Sequence, residues 1–458
     1  MTVRKSWLGT LAASGVSLAL VVALAPAAIA QYQQPQPSSA QPSPSPQPKS
    51  RKERAAAAEA AEAEAPKADY SKEFRKLAGP VQTAVNAKKW ADVIAALPSL
   101  EALPAPTRDD LKAIATWRLQ ATQGVGDQDA FAAAIEDFLA KGYAEPENVG
   151  TMHRQLAAHY SAKQDKVKTL EHFQKFVDGT PDVEPEEFET LGRLYLQAGK
   201  DAEGCQYLGK AIDSTVSKNQ PPKELWFQLR DKCFIALKDN ASRLANLEAL
   251  VGIYPDKEYY SRIVAIYQSQ SKDDRTVMLN AYRVAVSDPK GGLETVGGYL
   301  NYAETALNAG SPGEAARSLE RGMKEGVVPA AGSPQQLLSQ AKTAIASDKK
   351  TLPGEAAAAA KNPKGEVDVK VGLGFYSTGD YAQAVEAVRR GITKGGVARL
   401  DDANLLLGAA LLELGKRDEA RAAFESAKAA APAGSYLGRI AGLWLARTSR
   451  SDTAPAAG

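Results

Sequence analysis

Three histidines, two cysteines and a few clusters of glycine and acid are the residues of this chain with chemistry to offer. His153 and His159 stand six residues apart on one expected helix. That spacing puts them on opposite faces, whereas a helical metal pair needs i, i+4. Gly372, Gly374 and Gly379 look briefly like a phosphate loop, but their spacing fits neither G-x-G-x-x-G nor a Walker motif, and no strand precedes them. The acids of Asp182–Glu189 lack the spacing of a calcium loop. They sit at a helix start, where negative charge suits the helix dipole. With no G-x-S-x-G and no H-E-x-x-H, neither an enzyme, a cofactor nor a bound metal is expected.

What the chain does carry is a rhythm of small and bulky residues. From Gly408, Leu411 follows by three residues, Gly415 by seven, Ala420 by twelve, Phe424 by sixteen, Ala427 by nineteen and Pro432 by twenty-four. Gly408 and Ala420 let two helices approach closely. Gly415 suits a left-handed turn between them, Leu407, Leu411 and Phe424 supply bulk, and Pro432 ends the second helix. The set Gly372, Phe375, Gly379, Ala384, Val388 and Gly391 repeats the pattern at a shift of 36 residues. Ala303, Ala306, Gly310, Ala315, Leu319 and Gly322 carry it again, as do Gly192, Tyr195, Gly199, Gly204, Leu208 and Ala211. Ala157, Tyr160, Thr169, Phe173 and Phe176 give another copy, with Gln164 in place of the turn glycine. Two degenerate units lie between, over 224–255 and 257–289.

The pattern resembles the tetratricopeptide repeat, a helix–turn–helix unit of about 34 residues. The resemblance covers most of 148–432 and implies an all-α, right-handed α-solenoid of stacked helix pairs. It also implies a non-catalytic scaffold whose inner surface, lined by the first helix of each pair, holds a peptide or a partner domain. Arg154, Glu189, Arg193, Gln228 and Lys232 fall at the matching places, a mixed-charge surface suited to a polar peptide; a merely solvated face is the alternative. In the last two pairs those places fall on Val369, Leu373 and Tyr376, then on Leu405, Ala409 and Leu412. The core-facing places are filled separately by Val371, Phe375, Leu407 and Leu411, so these helices are apolar on two faces. Such a strip is expected to take up an apolar segment. The segment would come from a partner, from a second copy of the chain, or from the connection around Leu352 to Ala360. Cys205 and Cys233 fall on neighbouring helices of consecutive repeats, either as a disulfide or as two buried small side chains.

Around this array the chain reads in segments. Residues 1–30 hold Arg4 and Lys5, an uncharged apolar run and Ala28-Ile29-Ala30, the features of a cleaved secretory signal; an uncleaved anchor is the alternative. Export, to the periplasm by composition, is the expectation. Residues 31–69 are a Gln/Pro/Ser-rich then Ala/Glu-rich linker expected to be disordered. Residues 70–347 form the N-terminal array, with 70–141 repeat-like, and 348–366 (KKTLPG, five alanines, KNPKG) read as a flexible connection. Residues 367–448 form a C-terminal pair with a capping helix, and 449–458 a disordered tail. Of 56 Lys and Arg, two lie in the signal, leaving 54 against 54 Asp and Glu. A neutral body of this kind is not expected to bind nucleic acid. A protein or peptide partner, or self-association, is.

Overall fold

The computed structural model describes residues 68–271 and 274–450. The signal, nearly all of the linker and most of the tail lie outside the described residues. Within them the chain is all helix and turn, an α-solenoid of helical repeats cut into hairpins by single residues of left-handed backbone. Gly379 and Gly415 turn with φ of +86° and +71°. Gln164 makes the same turn at +61°, against a steric cost of about 1–2 kcal/mol that glycine escapes. The small crossing residues are needed as well. A Cβ on Gly408 would run into the Phe424 ring, and one on Gly372 into Val388.

Contacts divide the chain into two compact units, the first ending at Thr180. The first unit holds α1 (Lys72–Asn86), α2 (Trp90–Glu101), α3 (Arg108–Val125), α4 (Gln128–Ala140), α5 (Pro146–Ala162) and α6 (Lys166–Asp178). Thr107 starts α3 with a capping box, its hydroxyl accepting from the Asp110 amide while Asp110 accepts from the Thr107 amide. Phe74 and Trp117 stack with ring centres 5.6 Å apart in one core, and Phe131, Ile135, Phe138 and Met152 fill another.

The second unit begins at Pro181. Four hairpins come first: α7 (Pro185–Gln197) with α8 (Asp201–Ser217), α9 (Glu224–Ala236) with α10 (Asn240–Ile253), α11 (Lys257–Gln270) with α12 (Arg275–Ser287), and α13 (Val296–Asn308) with α14 (Pro312–Lys324). The long α15 (Ser333–Lys361) follows. Then come α16 (Gly365–Thr378), α17 (Tyr381–Lys394), α18 (Leu400–Glu413), α19 (Arg417–Ala430) and α20 (Tyr436–Ser449). A disulfide joins Cys205 on α8 to Cys233 on α9, with Cα atoms 6.0 Å apart.

Two expectations are corrected here. Residues 348–361 are not a flexible connection but the second half of α15. Leu352 and Ala359 are buried and anchor it, and Lys394 Nζ donates to the carbonyls of Ala359, Ala360 and Asn362 at 2.8, 3.0 and 2.8 Å. That lysine satisfies the orphan acceptors which end every helix. Pro353 sits on the exposed side. Nor do the last pairs stand as a separate module, because they fold back onto the second helices of earlier hairpins. α16 packs on α14, α18 on α12, and α20 on both α10 and α12.

The fold-back leaves α12 enclosed, with every residue from Val277 to Ala285 buried. Among them is Arg283, whose Nε and one Nη donate to Glu314 Oε1 and Oε2 of α14 at 2.7 and 2.8 Å. Glu314 also accepts from Tyr302 at 3.2 Å and Ser311 at 2.6 Å. Arg283 donates to Asn280 Oδ1, and Asn280 Nδ2 donates at 2.7 Å to Asp402 of α18. Burial alone would push the Glu314 pKa up, but Arg283 and its hydrogen bonds hold it below the usual carboxylate range. Glu314→Gln would leave the buried guanidinium uncompensated. It is expected to cost about 3–5 kcal/mol in denaturant unfolding of the second unit.

Candidate functional site

An open concavity lies in the first unit, between α4 and α5, with a volume of about 1090 Å³. Phe131 and Ile135 of α4 and Phe176 of α6 form its apolar floor, and Ala158 leaves it wide. The rim is polar. Asp127 is spent as the N-cap of α4, accepting from the Ala130 amide at 3.0 Å. Asp129 pairs with Lys163 at 2.7 Å and lies 3.6 Å from His159 Nε2. The Lys163 hydrogen bond, ahead of a small burial effect, holds the Asp129 carboxyl below its ordinary pKa. Arg154, which family resemblance places in a groove, lines this one with its guanidinium 5.3 Å from the Phe176 ring centre. An apolar floor and a rim of both signs can hold an extended peptide by side-chain burial and hydrogen bonds to its backbone.

The other expected groove residues are placed differently. Glu189 accepts from Trp226 Nε1 of the next hairpin at 2.7 Å and lies 3.5 Å from Arg193. Gln228 donates to the Tyr259 hydroxyl, again one hairpin on, at 2.7 Å. These two side chains stitch consecutive repeats together, while Arg193 and Lys232 are exposed.

The apolar strip of the last pairs is not an open groove. Leu405 is 0% and Tyr376 4% exposed, and Ala409 is buried with them. Val369, Leu373 and Leu412 are half-buried against the same core. The doubly apolar helices are a real feature, but their cover is the chain itself. Arg317 of α14 donates to the Ser377 and Tyr376 carbonyls at 2.7 and 3.3 Å, and Arg283 lies over the Tyr376 ring. Leu352 of α15 presses so close to Gly374 that a Cβ there would collide with it. Leu405→Asp is therefore expected to unfold the second unit, with loss of helical circular dichroism at ambient temperature. An accessible-groove residue would instead lose partner capture while keeping its fold.

Sequence spacing also missed a pairing. His153 of α5 meets His172 of α6, with their Nδ1 atoms 3.1 Å apart. His172 stacks on Tyr160 at 5.5 Å, and the Tyr160 hydroxyl donates to Glu136 at 2.5 Å. Among the described residues no group of three or more His, Cys, Asp or Glu side chains is arranged around a metal ion. Burial, helped by His172, drives the His153 pKa down from 6.5 to about 4, and burial lowers that of His172 too. A depressed histidine pKa means that the unfolded chain binds the proton first. Stability is then complete above pH 6.5 and falls as pH drops toward 4. The unfolding midpoint of the protein should decline over that window, and His153→Gln should flatten the decline.

Residues 401–433 match the family model described as the tetratricopeptide repeat. Solved structures similar to the chain include a tetratricopeptide repeat protein from Parabacteroides merdae, at 12% identity and a TM-score of 0.25, over 65% of this chain and 99% of that one. The TPR2AB domain of yeast Sti1, solved in complex with pHSP90, has 8% identity and a TM-score of 0.21 over 66% and 98%. The P58(IPK) TPR domain has 14% and 0.21 over 81% and 97%. No curated protein matches the chain.

Proposed function

We propose that the chain is a tetratricopeptide-repeat protein, a kind that in general mediates protein–protein contact, and that it is an exported, non-catalytic adaptor of the bacterial cell envelope. The observation that carries this reading is the open groove of the first unit. It combines an apolar floor with a polar rim, and it includes Arg154, a residue that the family resemblance assigns to partner contact. The occupant is an extended peptide segment of a partner protein. Export is supported by the apolar run after Arg4 and Lys5 and by the Cys205–Cys233 disulfide, which belongs to an oxidising compartment.

A spacer or self-associating platform without a groove ligand is the competing reading. It draws support from Glu189 and Gln228, which are engaged between repeats. Ala158 is exposed on the groove wall, so Ala158→Trp fills the groove without touching a core. Immobilised wild-type protein incubated with envelope extract is expected to retain a defined partner. The variant should lose it by about tenfold or more, a loss of at least ~1.4 kcal/mol, with an unchanged melting temperature. Equal capture by both proteins, or retention of the chain alone, sinks the groove reading in favour of the spacer.

A further inference from the structure

Two of the chain's three histidines come face to face across the α5–α6 hairpin, away from the groove wall. In the metal-free pair one Nδ1 must carry a proton and donate to the other, so the contact holds one lone pair and one hydrogen. We propose that His153 Nδ1 and His172 Nδ1 form a two-histidine site for one divalent transition-metal ion of the imidazole-binding kind, copper(II), nickel(II) or zinc.

The geometry suits a chelate. Nitrogens 3.1 Å apart, each about 2.05 Å from an ion, subtend an angle of about 98° at it. That lies between the square and the tetrahedral value, so both rings fit one ion as neighbouring ligands, with water in the remaining positions. His153 is half-buried, so its ring has room to turn its lone pair toward the ion. His172 is buried and fixed by its stack on Tyr160, which is itself held by Glu136 and by Lys168 at 2.8 Å. One ligand is thus preorganised and the other adjustable.

The proton balances within the pair. When the ion takes both Nδ1 lone pairs, the hydrogen on Nδ1 of one ring shifts to its Nε2, and no proton leaves the protein. On His172 that Nε2 faces Glu136 Oε1 at 4.0 Å. A carboxylate behind a ligating imidazole is the usual outer partner, fixing the tautomer and raising ligand basicity. The cations nearby are engaged: Lys175 with Glu171 at 2.7 Å, and Lys168 with Tyr160 and Glu136.

The test titrates the full, chelator-stripped chain at pH 7.5 with copper(II), nickel(II) and zinc in turn, by calorimetry. One saturable site per chain is expected, tightest for copper(II). His153→Gln and His172→Gln should each weaken it by about tenfold or more, whereas His159→Gln should leave it within about twofold. Electron paramagnetic resonance of the copper(II) form should show two imidazole nitrogens. Should His172→Gln lose helical content, the half-buried His153→Gln decides alone. No saturable site, an unchanged affinity in His153→Gln, or loss of binding in His159→Gln overturns the assignment.

Discussion

A guanidinium shut away from water has to find its whole solvation in protein, and the second unit is assembled around one that does. Arg283 sits in the middle of α12, among nine buried residues in succession. Its charge is answered by Glu314 of α14, and Glu314 in turn by Tyr302 and Ser311. Asn280 extends the network to Asp402 on α18. Four helices from three hairpins are thereby required in one place, since any one withdrawn would leave a buried polar group without a partner. Apolar packing would tolerate some sliding of these helices. The network does not, and it sets their register.

The repeat itself was legible because it depends on near neighbours. A glycine at the crossing, a bulky residue one turn on and a left-handed residue at the turn are constraints within about thirty residues, and Gly408, Gly415 and Phe424 satisfy them in the structure as their spacing implies. The fold-back was not legible for the complementary reason. Two apolar faces on α16 and α18 announced that something must cover Tyr376 and Leu405. Nothing in a periodic pattern says which distant helix supplies the cover. Arg283 lies in a degenerate repeat, where the pattern does not single it out. In α15 the composition misled more directly. Pro353 and Gly354 weaken a helix taken alone, but the alanines that follow favour one, and burial of Leu352 and capping by Lys394 supply the rest.

The candidate groove was half readable. Arg154 was found through its repeat position, whereas the apolar floor mixes residues of two helices and no spacing rule joins Phe131 to Phe176. The histidine pair did leave a trace. The close crossing of each hairpin joins residues seven before and five after the turn, such as Gly408 and Ala420 around Gly415. Going outward along both helices, eleven before and eight after Gln164 are His153 and His172. Comparing histidines along one helix could not reveal a contact that belongs to the register between two.

A simple array of repeats can fold as it is made, each unit docking on the last. This one closes on itself: Arg439 reaches Glu248 across 191 positions of chain, and Arg450 reaches the Val251 carbonyl across 199. The covering helices α18 and α20 are among the last segments synthesised. Through most of its synthesis, then, α12 is a nascent helix whose apolar flank and Asn280 amide still await the late helices that cover them. Chains with such remote closures fold slowly and stay adhesive until the end arrives. The length of this unit is therefore also a delay, and a holdase that shields α12 during it would act on a need written into the topology.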